Sequence, residues 1–337
     1  MATDKDITFP EAIAHLSGDA KIDPVWLKGY NDLSTEDLVE FKTVWAEVPA
    51  DRRAAVAQAM SDLMLVDVET IFYSAFRVAL DDPDARVRLA AMTGLMEDEE
   101  PKLIDPLVQL ARNDPDVGVR ATAAESLGRF ALLAETGRLN PQRQKQIYDA
   151  LLKVFRTADE DSPLYLRALE SLGYVDNETV AMYIRAAFAS DDEAGRRSAV
   201  IAMGRSQNRQ FQEFVRQELT SVSPAIRLEA VRAAGELTDD DAIKDLAQLA
   251  DDPEPTVRSA ALESLAMIGG DKAHELLQQA VLSSDEDFAK VAQEAMELYE
   301  FWHGEIDFEM ANIDEEAMKP RRVWQRKATS TPKAEGE

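Results

Sequence analysis

The phrase DDPEPTVRSAALESL, which begins at Asp251, restates with small changes one that begins at Asp81, DDPDARVRLAAMTGL. Five more stretches align with it: NDPDVGVRATAAESL from Asn113, DEDSPLYLRALESL from Asp159, SDDEAGRRSAVIAMG from Ser190, SVSPAIRLEAVRAAGEL from Ser221 and SSDEDFAKVAQEAM from Ser283. The residues at the arginine position are Arg88, Arg120, Tyr165, Arg196, Arg227, Arg258 and Phe288, separated by about 32, 45, 31, 31, 31 and 30 residues. A period near 31 is typical of helical repeats. After each marker the small and apolar residues fall three, four, seven and eight positions on, as in Ala123, Ala124, Leu127 and Gly128, or Ala230, Val231, Ala234 and Gly235. That spacing is one face of an α-helix, and small residues on it let neighbouring helices approach closely. An Asp/Pro/Ser turn precedes each such helix and supplies N-cap oxygens; before the turn runs another amphipathic segment, such as KLIDPLVQLA or AIKDLAQLA. The unit is helix, tight turn, helix. One hairpin of this size cannot bury its apolar stripe alone, so copies must stack into a solenoid.

At 100° per residue the marker Arg falls inside the apolar arc, and in three copies an Asp lies six residues before it: Asp82/Arg88, Asp114/Arg120 and Asp252/Arg258. These residues resemble the HEAT-repeat family, in particular the short HEAT-like repeats of the phycobilisome (bilin) lyase type, over roughly residues 50 to 298. The resemblance implies an all-α, right-handed α-α superhelix in which turn Asp and helix Arg form a structural ladder between adjacent repeats. At Tyr165, Arg196, Arg227 and Phe288 the Asp, the Arg or their spacing is altered, and the pattern gives no ground for a rung there. A fold of this kind does not specify a function.

Residues 1–50 read as a lead-in with cap helices, residues 51–298 as the repeat solenoid, and residues 299–337 as a flexible tail, acidic and aromatic at first and basic later. Within residues 35–80 three helices are expected, the first capped by Ser34. The aromatics Phe41, Trp45, Phe72, Tyr73 and Phe76 belong to the core of that cap. The long step between Arg120 and Tyr165 implies an insertion near residues 131–143, either a surface loop or an extended helix with a looser turn.

With 37 Lys and Arg against 64 Asp and Glu, net charge −27, the chain is a poor general partner for nucleic acid or anionic membrane. There is no Cys, so no thiolate nucleophile or thiolate metal site, and no leader-like or membrane-spanning stretch is apparent, which reads as cytoplasmic. Of the three His, only His274 stands beside a Glu, Glu275, so the repeated His-Glu set of the HEAT-like deoxyhypusine hydroxylases cannot be assembled. Carboxylate clusters such as 97–100 and 239–241 sit where acids favour helix ends. No metal, cofactor or catalytic set is expected.

The charge is uneven. Residues 1–119 carry 11 basic and 24 acidic residues, 120–232 carry 16 and 15, 233–318 carry 4 and 23, and 319–337 carry 6 and 2. In the middle repeats, positions of the second helix that point away from the apolar arc hold Arg129, Arg167, Arg197, Arg205 and Arg232. In HEAT-like solenoids that helix lines the concave face, where Arg can grip carboxylates bidentately. The same residues can instead be paired with Glu125, Glu170 and Glu229 on their own helices. The expected function is a non-catalytic scaffold that binds a protein, an acidic one by this charge pattern, on these five Arg, with Arg321, Arg322 and Trp324 of the tail as a second contact. Two alternatives stay open: a chromophore- or cofactor-handling protein of the bilin-lyase type, and a nucleic-acid binder using the central Arg and the basic tail.

Overall fold

The computed structural model describes residues 7–18, 21–160 and 162–304. The chain divides into two compact units, residues 1–187 and 188–337. In the first unit, α1 (Phe9–Leu16), α2 (Pro24–Leu27) and α3 (Thr35–Glu47) precede α4 (Ala50–Val66), α5 (Tyr73–Ala79) and α6 (Ala85–Gly94). There follow α7 (Ile104–Asn113), α8 (Val117–Glu135), α9 (Pro141–Thr157), α10 (Pro163–Leu172) and α11 (Glu178–Phe188). The second unit holds α12 (Glu193–Arg205), α13 (Gln212–Glu218), α14 (Pro224–Glu236), α15 (Ile243–Leu249), α16 (Pro255–Ile268), α17 (Gly270–Val281) and α18 (Glu286–His303). Each unit is an all-α stack of hairpins. The second helices form an inner row, α4, α6, α8 and α10 in one unit and α12, α14, α16 and α18 in the other, each packed on the next.

The starts of these helices are written locally. Ser34 accepts from the Asp37 N–H, and Asp84, Asp116, Ser162, Asp192, Ser223 and Asp285 cap α6, α8, α10, α12, α14 and α18 in the same way. The apolar face behind each cap is buried: Ala123, Ala124, Leu127, Ala230, Val231 and Ala234 are all inaccessible to solvent. Between α8 and α10 the approach is so close that a Cβ on Gly128 would lie 2.8 Å from the Ser171 hydroxyl. Four of the five cap aromatics are core: Phe41, Phe72 and Phe76 are fully buried, Phe41 stacks on the buried Trp45, and the Tyr30 hydroxyl donates to the Ala12 carbonyl at 2.8 Å, whereas Tyr73 is only half-buried.

The extra residues of the long step lie in helix rather than loop. α8 has 19 residues and α9 has 17, with only residues 136–140 between them. Gly137, at φ 76°, closes that turn. At the other end, residues 299–303, expected to open the tail, continue α18. They are anchored there: Tyr299 stacks on His274 and the His303 ring bonds the Ala266 carbonyl at 3.0 Å.

Arginines at the start of the second helices tie the hairpins together. Each puts Nη1 on the carbonyl six residues back: Arg88 on Asp82, Arg120 on Asp114, Arg227 on Ser221 and Arg258 on Asp252, at 2.6–2.9 Å. The carboxylate comes from the following hairpin. Arg88 Nη2 donates to Asp114 Oδ1 at 2.7 Å, and Arg227 Nε and Nη2 grip both Asp252 oxygens at 2.9 Å. Arg53 does the same to Asp82, at 2.7 and 3.0 Å, and the Trp45 indole N–H joins it at 2.8 Å. Each of these three Asp also accepts the N–H two residues on, at 2.9 Å, so one carboxylate closes its own turn and receives the neighbour's Arg.

The rungs therefore run Arg53–Asp82, Arg88–Asp114 and Arg227–Asp252. Arg227 belongs to the ladder although Ser221 stands where an Asp was sought, because only the backbone carbonyl of that residue is used. Conversely, Arg120 and Arg258 have their own turn Asp and yet, among the described residues, no carboxylate partner. In the turn after Arg258 the corresponding residue is Ser283, whose hydroxyl closes the turn without bringing a charge. Arg196 turns instead to Glu218, at 3.7 Å.

Losing one partner of a buried charge pair costs about 3 to 5 kcal/mol, and the Arg88–Asp114 pair is almost wholly buried. Arg88→Ala should lower the unfolding free energy by that amount. Arg120→Ala, which removes only bonds to carbonyls, should cost about 2 kcal/mol. Denaturant titrations giving equal losses would contradict this assignment of the rungs.

Candidate functional site

Five arginines were singled out on the second helices, and the fold uses them differently. Arg129, on α8, is a strut. Its Nη1 donates to the Leu95 carbonyl at 3.0 Å and its Nη2 to the Asp98 carbonyl at 2.8 Å, while the guanidinium lies 4.8 Å from the Phe130 ring centre. It thereby ties α8 to the turn that follows α6, whose Leu95 carbonyl also accepts the Asp98 N–H. Burial pulls it below its ordinary pKa against the opposing pull of Asp98. The expectation that Arg129 faces a partner is corrected by these bonds, since its donors serve the preceding hairpin.

Arg167, on α10, donates to Glu170 at 2.5 Å and lies 4.0 Å from Glu125. Arg232, on α14, is 3.6 Å from Glu229. Both keep a large part of the side chain in solvent, 34% and 54%. Arg197, on α12, is half-buried, and its Nε is enclosed with no hydrogen-bond partner. The Arg167–Glu170 and Arg232–Glu229 pairs are ones the sequence offered as the alternative to a partner contact. The tail residues Arg321, Arg322 and Trp324 lie outside the described residues.

Arg205 ends α12 beside an acid that sequence reasoning did not pick out. Glu236, in the last turn of α14, packs against Gly204; a Cβ there would sit 2.5 Å from Glu236 Oε2 and 2.9 Å from the Ala233 Cα. Glycine is required by this approach. Burial raises the Glu236 pKa to about 7, with Glu229 adding to the rise and Arg205 and Arg232 opposing it. The signal was available in the sequence: Gly204 and Glu236 each stand at the helix end, one repeat apart.

A second set of ion pairs also went unread. Arg77 of α5 holds Asp98 at 2.6 Å, and Arg216 of α13 holds Asp239 at 2.8 Å. In both, an Arg on a first helix receives the acid that follows the second helix of its own hairpin. The clusters 97–100 and 239–241 are thus tied into the fold. Among the described residues no group of three or more His, Cys, Asp or Glu is placed to hold a metal ion, and no described helix is long and apolar enough to cross a membrane.

A family model described as HEAT repeats matches residues 74–138 and 212–297. No curated protein matches the sequence. Among solved structures, the chain is similar to an engineered protein at 22% identity, covering 59% of this chain and 96% of that one, with a TM-score of 0.38. It is similar to the CpcE–CpcF complex of phycocyanin lyase from a Nostoc species at 16% identity, covering 67% and 93%, with a TM-score of 0.46. It is similar to yeast importin-β at 14% identity, covering 87% of this chain and 47% of that one, with a TM-score of 0.47.

The raised Glu236 carboxyl has a directional consequence. An acid whose folded pKa lies above its unfolded value of 4.5 favours folding below that value and loses the benefit as pH rises towards 7. Glu236→Gln should therefore raise the melting temperature at pH 8, by up to about 3 kcal/mol of stability, and leave it nearly unchanged at pH 4.5. A pH-independent difference in thermal melts would contradict the burial of this carboxyl.

Proposed function

Because two stretches of the chain are HEAT repeats, we propose that it is a non-catalytic scaffold that binds an acidic protein through the second helices of its middle hairpins. The observation that carries this reading is the reversal of charge along the chain. Residues 120–232 hold 16 basic and 15 acidic residues, between flanks of 11 against 24 and 4 against 23. An acidic partner is steered to the middle and repelled elsewhere. Within each unit, stacked hairpins present such residues at a regular interval.

Arg167, Arg197 and Arg232 are the contacts. Arg232 is tied to Glu229 three residues away on its own helix, and a pair so open to solvent is worth only about 0.2 to 1 kcal/mol. Arg167 keeps Glu170, which is buried, as its partner and offers an incoming carboxylate only the third of its side chain that remains in solvent. Arg197 is half-buried and, among the described residues, stands in no ion pair, so its terminal nitrogens rather than the enclosed Nε would meet a partner. Arg129 has no part in this surface. The basic segment around Arg321, Arg322 and Trp324 supplies the second contact. Nucleic acid is a poor ligand for a surface whose best stretch carries a net charge near zero.

Charge reversal of Arg167, Arg197 and Arg232 together should abolish capture of the native partner from host extract while leaving helical circular dichroism unchanged. Capture of the same partner at wild-type yield by the triple variant would remove this surface from consideration. Purified protein should also show a protein-like 260/280 absorbance ratio; co-purifying nucleic acid would contradict the reading.

A further inference from the structure

The ladder lacks a carboxylate at one place where the surface is open. In each complete rung the guanidinium does two things: Nη1 bonds a carbonyl five or six residues back, and at least one other nitrogen receives an Asp from the next turn. Arg120 makes the first bond, to the Asp114 carbonyl at 2.6 Å, with a weaker one to Pro115 at 3.3 Å. Among the described residues it makes no second. The turn into α10 closes through the Ser162 N–H on the Asp159 carbonyl at 3.1 Å, and Ser162 caps the helix with its hydroxyl. Asp159 and Glu160 are exposed and lie beyond ion-pair distance of Arg120.

A cleft of about 210 Å³ opens where the carboxylate would sit, between the ends of α7 and α9 and the starts of α8 and α10. Arg112, Arg120 and Lys153 line it, with Thr157 and Ser162, and among the described residues Asp159 is the one acid. Arg112 and Lys153 are exposed and, among the described residues, stand in no ion pair. Among the described lining residues cations outnumber carboxylates, the reverse of the balance in a chain of net charge −27. The half-buried Arg120 spends only Nη1 on carbonyls, whereas Arg227 also uses Nε and Nη2 to grip Asp252.

We propose that this cleft is a docking site for the carboxylate of an acidic turn carried by a protein partner, which completes the rung in trans. The ligand chemistry is set by the chain itself: Arg53, Arg88 and Arg227 all receive an Asp side chain presented by a turn. The proposal goes beyond the surface of Arg167, Arg197 and Arg232 and shares no residue with it. Flanking cations add long-range attraction and cost the fold nothing when removed, because neither Arg112 nor Lys153 is bonded within it.

The test uses the full chain and a fluorescent peptide copying the turn ADDPEPT, residues 250–256, whose Asp252 is received by Arg227 in the fold. Fluorescence anisotropy should show saturable binding. The double substitution Arg112→Ala and Lys153→Ala should weaken it at least tenfold with unchanged circular dichroism, and a peptide carrying Asp252→Asn should lose binding to a similar extent. The absence of saturable binding to the wild-type chain, or binding undiminished by the double substitution, would overturn the proposal. So would inorganic phosphate displacing the peptide at concentrations tenfold below those of acetate, since the cleft would then select a tetrahedral oxyanion.

Discussion

A guanidinium shared between two hairpins is the interaction on which the stack depends. Hydrophobic faces of Ala, Gly, Val and Leu bring the second helices together, but such faces are smooth and permit sliding. The arginines at the start of three second helices, Arg53, Arg88 and Arg227, fix the register there, because each bonds a carbonyl just before its own helix and a carboxylate of the next turn. Each charge would be costly so close to the apolar arc without both. The turn Asp is equally committed, closing its own loop on one side and receiving the neighbour on the other. In this way the helix cap, the turn and the inter-repeat contact are one structure, which is why the phrase DDPxxxxR recurs.

Much of this was legible in the sequence, and the failures share a cause. The period, the helix faces, the N-caps and the end cap could be read because each depends on residue type at fixed spacing. The ladder was harder. An Asp six residues before the Arg was taken as the signature, but the bond over that span goes to a main-chain carbonyl, which Ser221 supplies as well as Asp82 does. The carboxylate comes from one repeat later, so Arg120 and Arg258 looked complete and are not, while Arg227 looked defective and is whole. Arg53 was missed because its hairpin lacks the repeated phrase. Arg129 was misread for a related reason: a position facing away from its own helix's apolar arc can still face the preceding hairpin. Periodicity places a side chain on a helix; it does not say what stands opposite.

The candidate site was legible only as charge. Reversal of sign along the chain is a property of composition, and it drew attention to the middle repeats. Which of their arginines are available is a property of packing, and the fold commits Arg129 to carbonyls and Arg167 to the buried Glu170 while leaving Arg232 on a weak local pair. The cleft at Arg120 arises from a change in helix length that the sequence recorded only as an irregular step. An interruption in a repeating structural bond is a natural place for a binding site, since the surrounding frame already has the geometry for the missing group.

The direct test of register by shared arginine is a double-mutant cycle on Arg227 and Asp252, measured by denaturant unfolding, with Arg258 and Ser283 as the control pair at the next junction. A coupling energy of about 1 to 3 kcal/mol for Arg227 and Asp252, with none beyond error for Arg258 and Ser283, is the predicted result. Zero coupling for Arg227 and Asp252 would show that the rungs decorate a stack held by its apolar faces alone.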